Sequence, residues 1–265
     1  MMNSYLRAAV AVCILLLSLP VLAVPSGPVI GKVALVLGSV VGTDQDGDTF
    51  EVVRGTELHA GYSFETGSRS FVRAEMNDGT RMTISQNSTA TLDQFSFNQS
   101  RSTGTFNATV KKGSFRYISG LLGAAGSSRV HSRISTPSGV IGVRGTTIVA
   151  IVNPDGSMTI TIPAGTVDVV LTQSDGTKVT QTIGVGQSSQ TIQVTSDGQS
   201  TGLDQLPTSL QTVVNELVDL VNEAENPSGT NNSGTNDQGS TDPDETDPQP
   251  QTYTLDTDST AETNT

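Results

Sequence analysis

The stretch Ile134–Ile148, with the sequence ISTPSGVIGVRGTTI, contains the most informative local signals of the chain. The pair Thr136-Pro137 interrupts it, because proline lacks the N–H group that a strand interior uses. A short apolar run follows, and Arg144-Gly145-Thr146 then stands at the entrance of a second run rich in β-branched residues. The stretch therefore predicts short strands separated by breaks.

The same pattern continues on both sides of this stretch. Alternating apolar and polar residues, the period of a half-exposed strand, are clearest at 33–37, 72–76, 158–162, 167–171 and 191–194. Asp-Gly pairs, which favour tight hairpin turns, stand at 46–47, 78–79, 155–156, 175–176 and 197–198. Residues 24–202 are therefore predicted to form an all-β domain, a solenoid-like or sandwich-like stack of short strands.

After Gly202 the apolar period changes to steps of three and four residues. The stripe predicts one amphipathic helix within 203–226 and consists of Leu206, Leu210, Val213, Leu217 and Leu220. Two interpretations stay open. The helix packs over the β-structure, which the width of the stripe favours, or it docks on a partner or on its own copy.

Both ends of the chain differ from this body. Residues 8–19 are apolar, follow Arg7 and precede a small-residue cleavage pattern, so residues 1–23 are predicted to be a signal peptide. The apolar run is shorter than the roughly 20 residues of a membrane-spanning helix, so no transmembrane segment is expected after cleavage. Residues 227–265 are rich in Asn, Gly, Ser, Thr, Asp and Pro, and are predicted to be a disordered acidic tail.

Charge and cysteine content exclude several classes of function. The net charge is −12, and the excess lies in the C-terminal region, because no basic residue follows Asp204. Such a region repels phosphate backbones, so nucleic-acid binding is not expected. The one cysteine, Cys13, lies in the predicted signal peptide, so the mature chain has neither a disulfide nor a reactive thiol.

Motifs for catalysis or for metal binding are weak. The acidic segment from Asp44 to Asp48, with Glu51 beyond it, has its glycine out of register for an EF-hand loop and is read as a solvated hairpin tip. His59 and His131 each lack a second ligand at short spacing. We therefore expect no enzyme activity and no catalytic, cofactor-binding or metal-binding residue; a hydrolase with a site invisible in sequence is a remote alternative.

Arg144 is expected to have a structural role, since buried or half-buried arginines are generally paired inside a fold. Its guanidinium would pair with a carboxylate or bond loop carbonyls; contact with a partner is the functional alternative. Gly145 is expected to permit close backbone approach, and Thr146 to bond a nearby turn.

In these residues the chain resembles the FecR-type domain, the exported β-domain of bacterial cell-surface signalling regulators. The resemblance covers roughly 30–190. The motifs that carry it are Gly55 with Gly61, Asn77-Asp78-Gly79-Thr80, Lys112-Gly113-Ser114-Phe115, Thr136-Pro137, Val143-Arg144-Gly145-Thr146 and Gly165-Thr166-Val167. It implies an all-β, solenoid-like domain. The family's anti-sigma segment and transmembrane helix have no counterpart in this sequence, which places a signal peptide there instead.

The sequence thus predicts an exported, non-enzymatic binding or interaction module of the bacterial cell envelope, in the periplasm or at the cell surface. The expected partner is another envelope protein or a surface polymer. The alternative from a different class is a structural or adhesive surface protein with calcium-sensitive acidic loops or tail.

Overall fold

A computed structural model describes residues 27–124 and 129–215. The predicted signal peptide, the tail 227–265, Leu217 and Leu220 lie outside the described residues. The strands within them are β1 (Gly31–Leu37), β2 (Val40–Thr43), β3 (Thr49–Glu51), β4 (Glu57–Leu58), β5 (Ser63–Thr66), β6 (Phe71–Met76), β7 (Arg81–Ile84), β8 (Thr89–Asn98), β9 (Thr103–Ile118), β10 (Ser132–Thr136), β11 (Gly139–Val152), β12 (Met158–Thr172), β13 (Lys178–Gly184), β14 (Thr191–Val194) and β15 (Ser200–Leu203). A short helix α1 (Leu121–Ala124) follows β9, and helix α2 occupies 208–215. The predicted all-β fold class is confirmed.

All five Asp-Gly pairs form the hairpin turns that the sequence predicts. They join β2 to β3, β6 to β7, β11 to β12, β12 to β13 and β14 to β15. In each turn the glycine has a positive φ and donates its N–H to the carbonyl three residues earlier, as Gly156 does to Asn153 (2.9 Å). This is the geometry of a type I turn that ends on a left-handed residue.

The strands belong to one continuous hydrogen-bonded sheet. Three long strands, β9, β11 and β12, change neighbours half-way along their length. The first part of β9 pairs with β8 and β10, and its second part, from Gly113, pairs with β7 and β11. In the same way β12 pairs with β14 through 158–161 and with β13 through 166–172. The long strands therefore link two layers of the sheet.

The two layers enclose a common core. In β11, Ile141 comes from the first layer and Ile148 and Ala150 come from the second, and all three are fully buried in one cluster. Alternation along the second half of β11 turns Val149 and Ile151 to the other side, which we call the outer side of the second layer.

A row of glycines crosses the sheet where the long strands bend. Gly145 in β11, Gly165 in β12 and Gly184 in β13 all have positive φ. A Cβ atom on Gly184 would overlap the carbonyl of Gly165, and one on Gly165 would overlap that of Gly145. Side chains are therefore excluded from this row, and the backbones of three strands approach closely there.

Candidate functional site

The residues that carry the family resemblance lie at the bend of β11. The register between β11 and β12 shifts between Val143 and Thr146, so Arg144 and Gly145 form a β-bulge. Before the bulge β11 pairs with β10, and after it β11 pairs with β9. The bulge thus marks the point at which the strand passes from one layer to the other.

Arg144 is held by a carboxylate of the neighbouring strand. Its Nη2 donates to Asp168 Oδ2 in β12, and Thr182 in β13 donates its hydroxyl to the other oxygen, Oδ1 (2.8 Å). The Arg144 side chain is 40% exposed and that of Asp168 is 16% exposed. The pair therefore joins three adjacent strands at the bulge through half-buried groups.

Gly145 and Thr146 contact the segment that leads into α1. A Cβ atom on Gly145 would lie 2.8 Å from the carbonyl oxygen of Gly123. The Thr146 N–H donates to Ser119 Oγ (3.1 Å), and its hydroxyl donates to the carbonyl of Ala164 in β12. The bulge is thus fixed from both of its sides by backbone and hydroxyl groups.

The Thr136-Pro137 pair forms the turn between β10 and β11 and packs on the next turn of the stack. Thr136 Oγ1 donates to the carbonyl of Gly139 (3.0 Å), and Ser138 Oγ donates to that of Gly156. These contacts are internal to the fold, because Gly156 belongs to the β11–β12 turn.

A buried polar cluster, which sequence reasoning missed, lies beneath the bulge. His131 Nδ1 is 2.7 Å from Ser132 Oγ, which also accepts the Tyr117 hydroxyl (2.9 Å). Asp78 lies nearby, but its carboxylate accepts Thr80 N–H and Oγ–H (2.9 and 2.8 Å). Burial lowers the pKa of His131 and raises the pKa of the Tyr117 hydroxyl. The fold brings Tyr117 of β9 and Asp78 to the adjacent pair His131-Ser132.

This cluster lacks the arrangement of a nucleophilic site. Ser132 is completely buried and His131 is 7% exposed, so no substrate reaches the serine hydroxyl. The Asp78 carboxylate is engaged by Thr80 and by the N–H of Leu122 (3.3 Å) rather than by the imidazole. A hydrolase needs an accessible nucleophile beside an oriented base.

The acidic hairpin tip and His59 have local roles. Asp44 Oδ1 accepts the N–H groups of Asp46 and Asp48 (2.9 Å each), so this carboxylate caps its own turn. His59 Nδ1 contacts the carbonyl of Gly27 (3.1 Å). Within the described residues no group of three His, Cys, Asp or Glu side chains is arranged to hold a metal ion.

Three of the predicted helix residues, Leu206, Leu210 and Val213, lie against the outer side of the second layer. Leu210 is fully buried and packs with Val149, and Leu206 and Val213 are half-buried against the same small cluster. This contact corresponds to the first of the two interpretations of the stripe, in which the helix packs over the β-structure and does not dock on a partner. Within 27–124 and 129–215, no helix has the length and apolar content needed to span a membrane.

Strand β13 has a free edge. Among the strands of 27–124 and 129–215 it pairs with β12 alone, and residues 178–182 are exposed or half-buried. The Val185 N–H donates to the Gly165 carbonyl of β12 (2.9 Å), whereas the Gly184 N–H points away from β12 and donates to the Ser189 carbonyl (3.0 Å). Since the direction alternates along a strand, the backbone groups of Thr180 and Thr182 also point away from β12.

The open end of the two layers lies between β13 and β15. There Ser200 Oγ in β15 donates to Gln181 Oε1 in β13 (2.7 Å). A cleft of about 640 Å³ is lined by amides and hydroxyls such as Gln187, Ser188 and Gln190, and also by the apolar side chains of Leu203, Leu206 and Val214. The cleft therefore combines hydrogen-bonding and apolar groups, and no aromatic side chain is among its lining residues.

Residues 62–168 match the family model described as FecR protein. The matched region contains the bulge of β11, the Thr136-Pro137 turn and the ion pair of Arg144 with Asp168. The resemblance to the FecR-type domain that the sequence predicts is therefore confirmed for this part of the chain. No curated protein matches the chain.

Three solved structures are similar to parts of the chain. One, described as "Cell surface anchoring domain", is 27% identical and covers 24% of this chain and 83% of its own, with a TM-score of 0.23. Two crystal structures of "a putative anti-sigma factor from Parabacteroides distasonis" are each 10% identical, with TM-scores of 0.38 and 0.39. Each covers 57% of this chain, which spans 64% and 63% of their lengths.

Proposed function

We propose that the protein is an exported, non-enzymatic interaction module of the bacterial cell envelope. In this proposal the FecR-type β-domain binds another envelope protein or a surface polymer. The observation that supports it most directly is the free edge of β13, which offers backbone hydrogen-bonding groups on a rigid stack.

The edge suits an extended partner. A free strand edge accepts an added strand through main-chain hydrogen bonds, and side chains on alternate positions give specificity. The outward groups of Thr180 and Thr182 repeat every second residue, as such pairing requires. Lys178 at one end limits uncontrolled edge-to-edge association, because a charge on an edge strand opposes it.

The non-enzymatic part of the proposal rests on how the reactive residue types are used. His131 and Ser132 are buried, and the Asp78 carboxylate is bonded to Thr80 and Leu122. Arg144 is paired with Asp168. The side chains that a reaction would use thus stabilise the fold.

Export is proposed from the sequence of 1–23, with its apolar run and its small-residue cleavage pattern. A periplasmic or cell-surface location follows from export.

Site-specific photo-crosslinking in the producing bacterium tests the proposal. A photoreactive residue replaces Lys178 at the free edge, and the matched control replaces Arg133, an exposed basic residue of β10, which is paired on both sides. We expect a discrete covalent adduct with an envelope component from position 178 and none from 133. Equal labelling at both positions, or no adduct at 178, would contradict the proposal.

A further inference from the structure

The cleft of about 640 Å³ is bounded by the loop that follows β13 and by the segment that joins β15 to α2. Residues 187–191 and 203–206 contribute most of its lining, and Thr161 and Pro163 of β12 and Val214 of α2 contribute the rest. Its volume falls within the range of about 300–1,000 Å³ that is typical of ligand pockets. We call it the amide cleft.

Backbone hydrogen bonds hold the loop 187–190 in place. The Gln187 N–H donates to the Gly184 carbonyl (3.1 Å), and the Gly184 N–H donates to the Ser189 carbonyl (3.0 Å). The Ile162 N–H of β12 donates to the Gln190 carbonyl (3.0 Å). The loop therefore has a defined shape before a ligand binds, which lowers the entropy cost of binding.

The polar side chains of this loop are available to a ligand. Gln187, Ser188 and Gln190 are exposed, and in the described part of the chain no hydrogen bond engages their side chains. A glutamine amide has both a donor and an acceptor, as the peptide group has. The loop can therefore bond the main chain of a peptide in both directions.

The segment that joins β15 to α2 adds an apolar surface to the cleft. Leu203, Leu206 and Val214 line the cleft and are each half-buried. Leu206 and Val214 also pack against the cluster of Val149 and Leu210, so the body of the fold supports them. This surface suits an aliphatic side chain of the ligand, because contact with it removes apolar area from water.

The charge of the cleft is negative. Among the described residues that line it, Asp204 alone is charged. Asp204 is exposed, and within 27–124 and 129–215 no ion pair engages it. The complementary ligand therefore has a cationic group next to its apolar group, and an anionic polymer would be repelled.

These features favour a peptide over a neutral glycan. Sugar rings commonly present their apolar C–H faces to aromatic rings, and the described lining of the cleft includes no aromatic side chain. A peptide, in contrast, combines main-chain amides, an aliphatic side chain and a cation within a few residues.

We propose that the amide cleft binds an extended, basic peptide segment of a partner protein. Gln187 and Gln190 bond the main chain of the peptide. The apolar surface at Leu206 takes an aliphatic side chain, and Asp204 pairs with a lysine or arginine beside it. The amide cleft and the free edge of β13 are two sites, so peptide binding in the cleft does not require strand pairing at the edge.

Fluorescence polarisation with the purified protein tests this assignment. The probe is the fluorescein-labelled peptide Gly-Leu-Lys-Leu-Gly, and the comparison is Gly-Leu-Glu-Leu-Gly. We expect a Kd of about 0.1–1 mM for the lysine peptide, since a short flexible ligand loses entropy when it binds. The glutamate peptide should bind at least about fivefold more weakly, because Asp204 repels it.

A charge reversal tests the role of Asp204. Asp204→Lys should weaken binding of the lysine peptide by about five- to tenfold and should remove the preference over the glutamate peptide. The control is Glu65→Lys, which changes the net charge equally at an exposed carboxylate of β5 that does not line the cleft. It should change the Kd by less than about twofold.

A second pair of variants tests the amides. Gln187→Leu with Gln190→Leu keeps the side-chain size but removes the hydrogen-bonding groups, and should weaken binding by about tenfold. The control is Gln193→Leu with Gln199→Leu, at two exposed glutamines that do not line the cleft. It should leave the Kd unchanged. Urea unfolding of each variant verifies that it folds.

Four results would overturn the proposal. They are no saturable binding of the lysine peptide, equal affinity for the two peptides, an affinity that Asp204→Lys leaves unchanged, and displacement of the probe by a neutral glucan oligosaccharide. The last would identify a glycan as the ligand.

Thr180→Pro distinguishes the two sites, because it alters the edge of β13 and leaves the lining of the cleft unchanged. We expect it to retain peptide binding. If Thr180→Pro abolishes the binding and Asp204→Lys does not, the peptide binds at the edge of β13. The assignment to the cleft then fails while the proposed function stands.

Discussion

Arg144 in β11 and Asp168 in β12 form an ion pair across the β-bulge at which β11 passes between the two layers. The Thr182 hydroxyl of β13 donates a hydrogen bond to the same carboxylate, so Asp168 links three strands. The arginine side chain is 40% exposed, which limits the energy of the pair.

Replacing Arg144 by Met should lower the free energy of unfolding by about 0.5–1.5 kcal/mol, because it leaves a half-buried carboxylate with only its threonine partner. Urea unfolding measures the change. Arg133→Met, which alters an exposed arginine of β10, is the control and should change stability by less than about 0.5 kcal/mol. Equal effects of the two substitutions would show that the Arg144–Asp168 ion pair does not contribute to the free energy of unfolding.

Gly145→Ala should destabilise the fold by about 2–4 kcal/mol, because the new Cβ would have to occupy a positive-φ backbone 2.8 Å from the Gly123 carbonyl. Gly176→Ala is the matched control: its φ is 82° but no atom lies within 4 Å of the new Cβ. The control should cost about 1 kcal/mol. If both variants unfold at the same urea concentration, close packing at the bend is not what requires Gly145.

Stability should fall as the pH decreases through the imidazole range. Burial lowers the pKa of His131 in the folded state, so the unfolded chain binds the proton more readily. The stabilisation is complete above the unfolded pKa of about 6.5 and is lost progressively below it, with a slope of at most about 1.4 kcal/mol per pH unit.

Urea titrations at pH 7.5 and 5.5 measure this loss. His131→Gln should reduce the difference between the two pH values. A difference that survives in His131→Gln would assign the pH dependence to other groups.

Leu210→Ala should destabilise the protein by about 2–3 kcal/mol, because it removes the one fully buried side chain of the described part of α2 from its contact with Val149. The exposed neighbour Gln211→Ala should be nearly neutral. Thermal unfolding of the full chain compares the two. A neutral Leu210→Ala would favour the interpretation in which this stripe serves a partner.

The parts of the fold that depend on local sequence were predictable. Each Asp-Gly pair specifies its turn through the backbone preferences of two adjacent residues, so all five hairpins follow from the sequence. Alternation locates one set of core positions, since Ile160 and Ile162 in one predicted run are both fully buried. The run is not half-exposed as predicted, because Thr159 and Thr161 are buried too.

The parts that depend on distant residues were not predictable. Residues 139–152 form one long strand, and nothing local shows that it changes partners at Gly145, because the change depends on Gly123 and Asp168. The cluster of His131 with Tyr117 and the row of Arg73, Thr83 and Arg116 depend on strand register in the same way. A family motif could indicate that residues 144–146 matter, but not that they form a bulge.

In the proposed function, the free edge of β13 binds a partner through its backbone. Thr180→Pro removes an outward N–H without removing a hydrogen bond to β12, and Thr180→Val alters the side chain but keeps the N–H. The decisive measurement is the yield of the photo-crosslinked adduct from position 178 in these two backgrounds. We expect Thr180→Pro to abolish the adduct and Thr180→Val to retain it; an adduct that persists in Thr180→Pro would contradict binding through this edge.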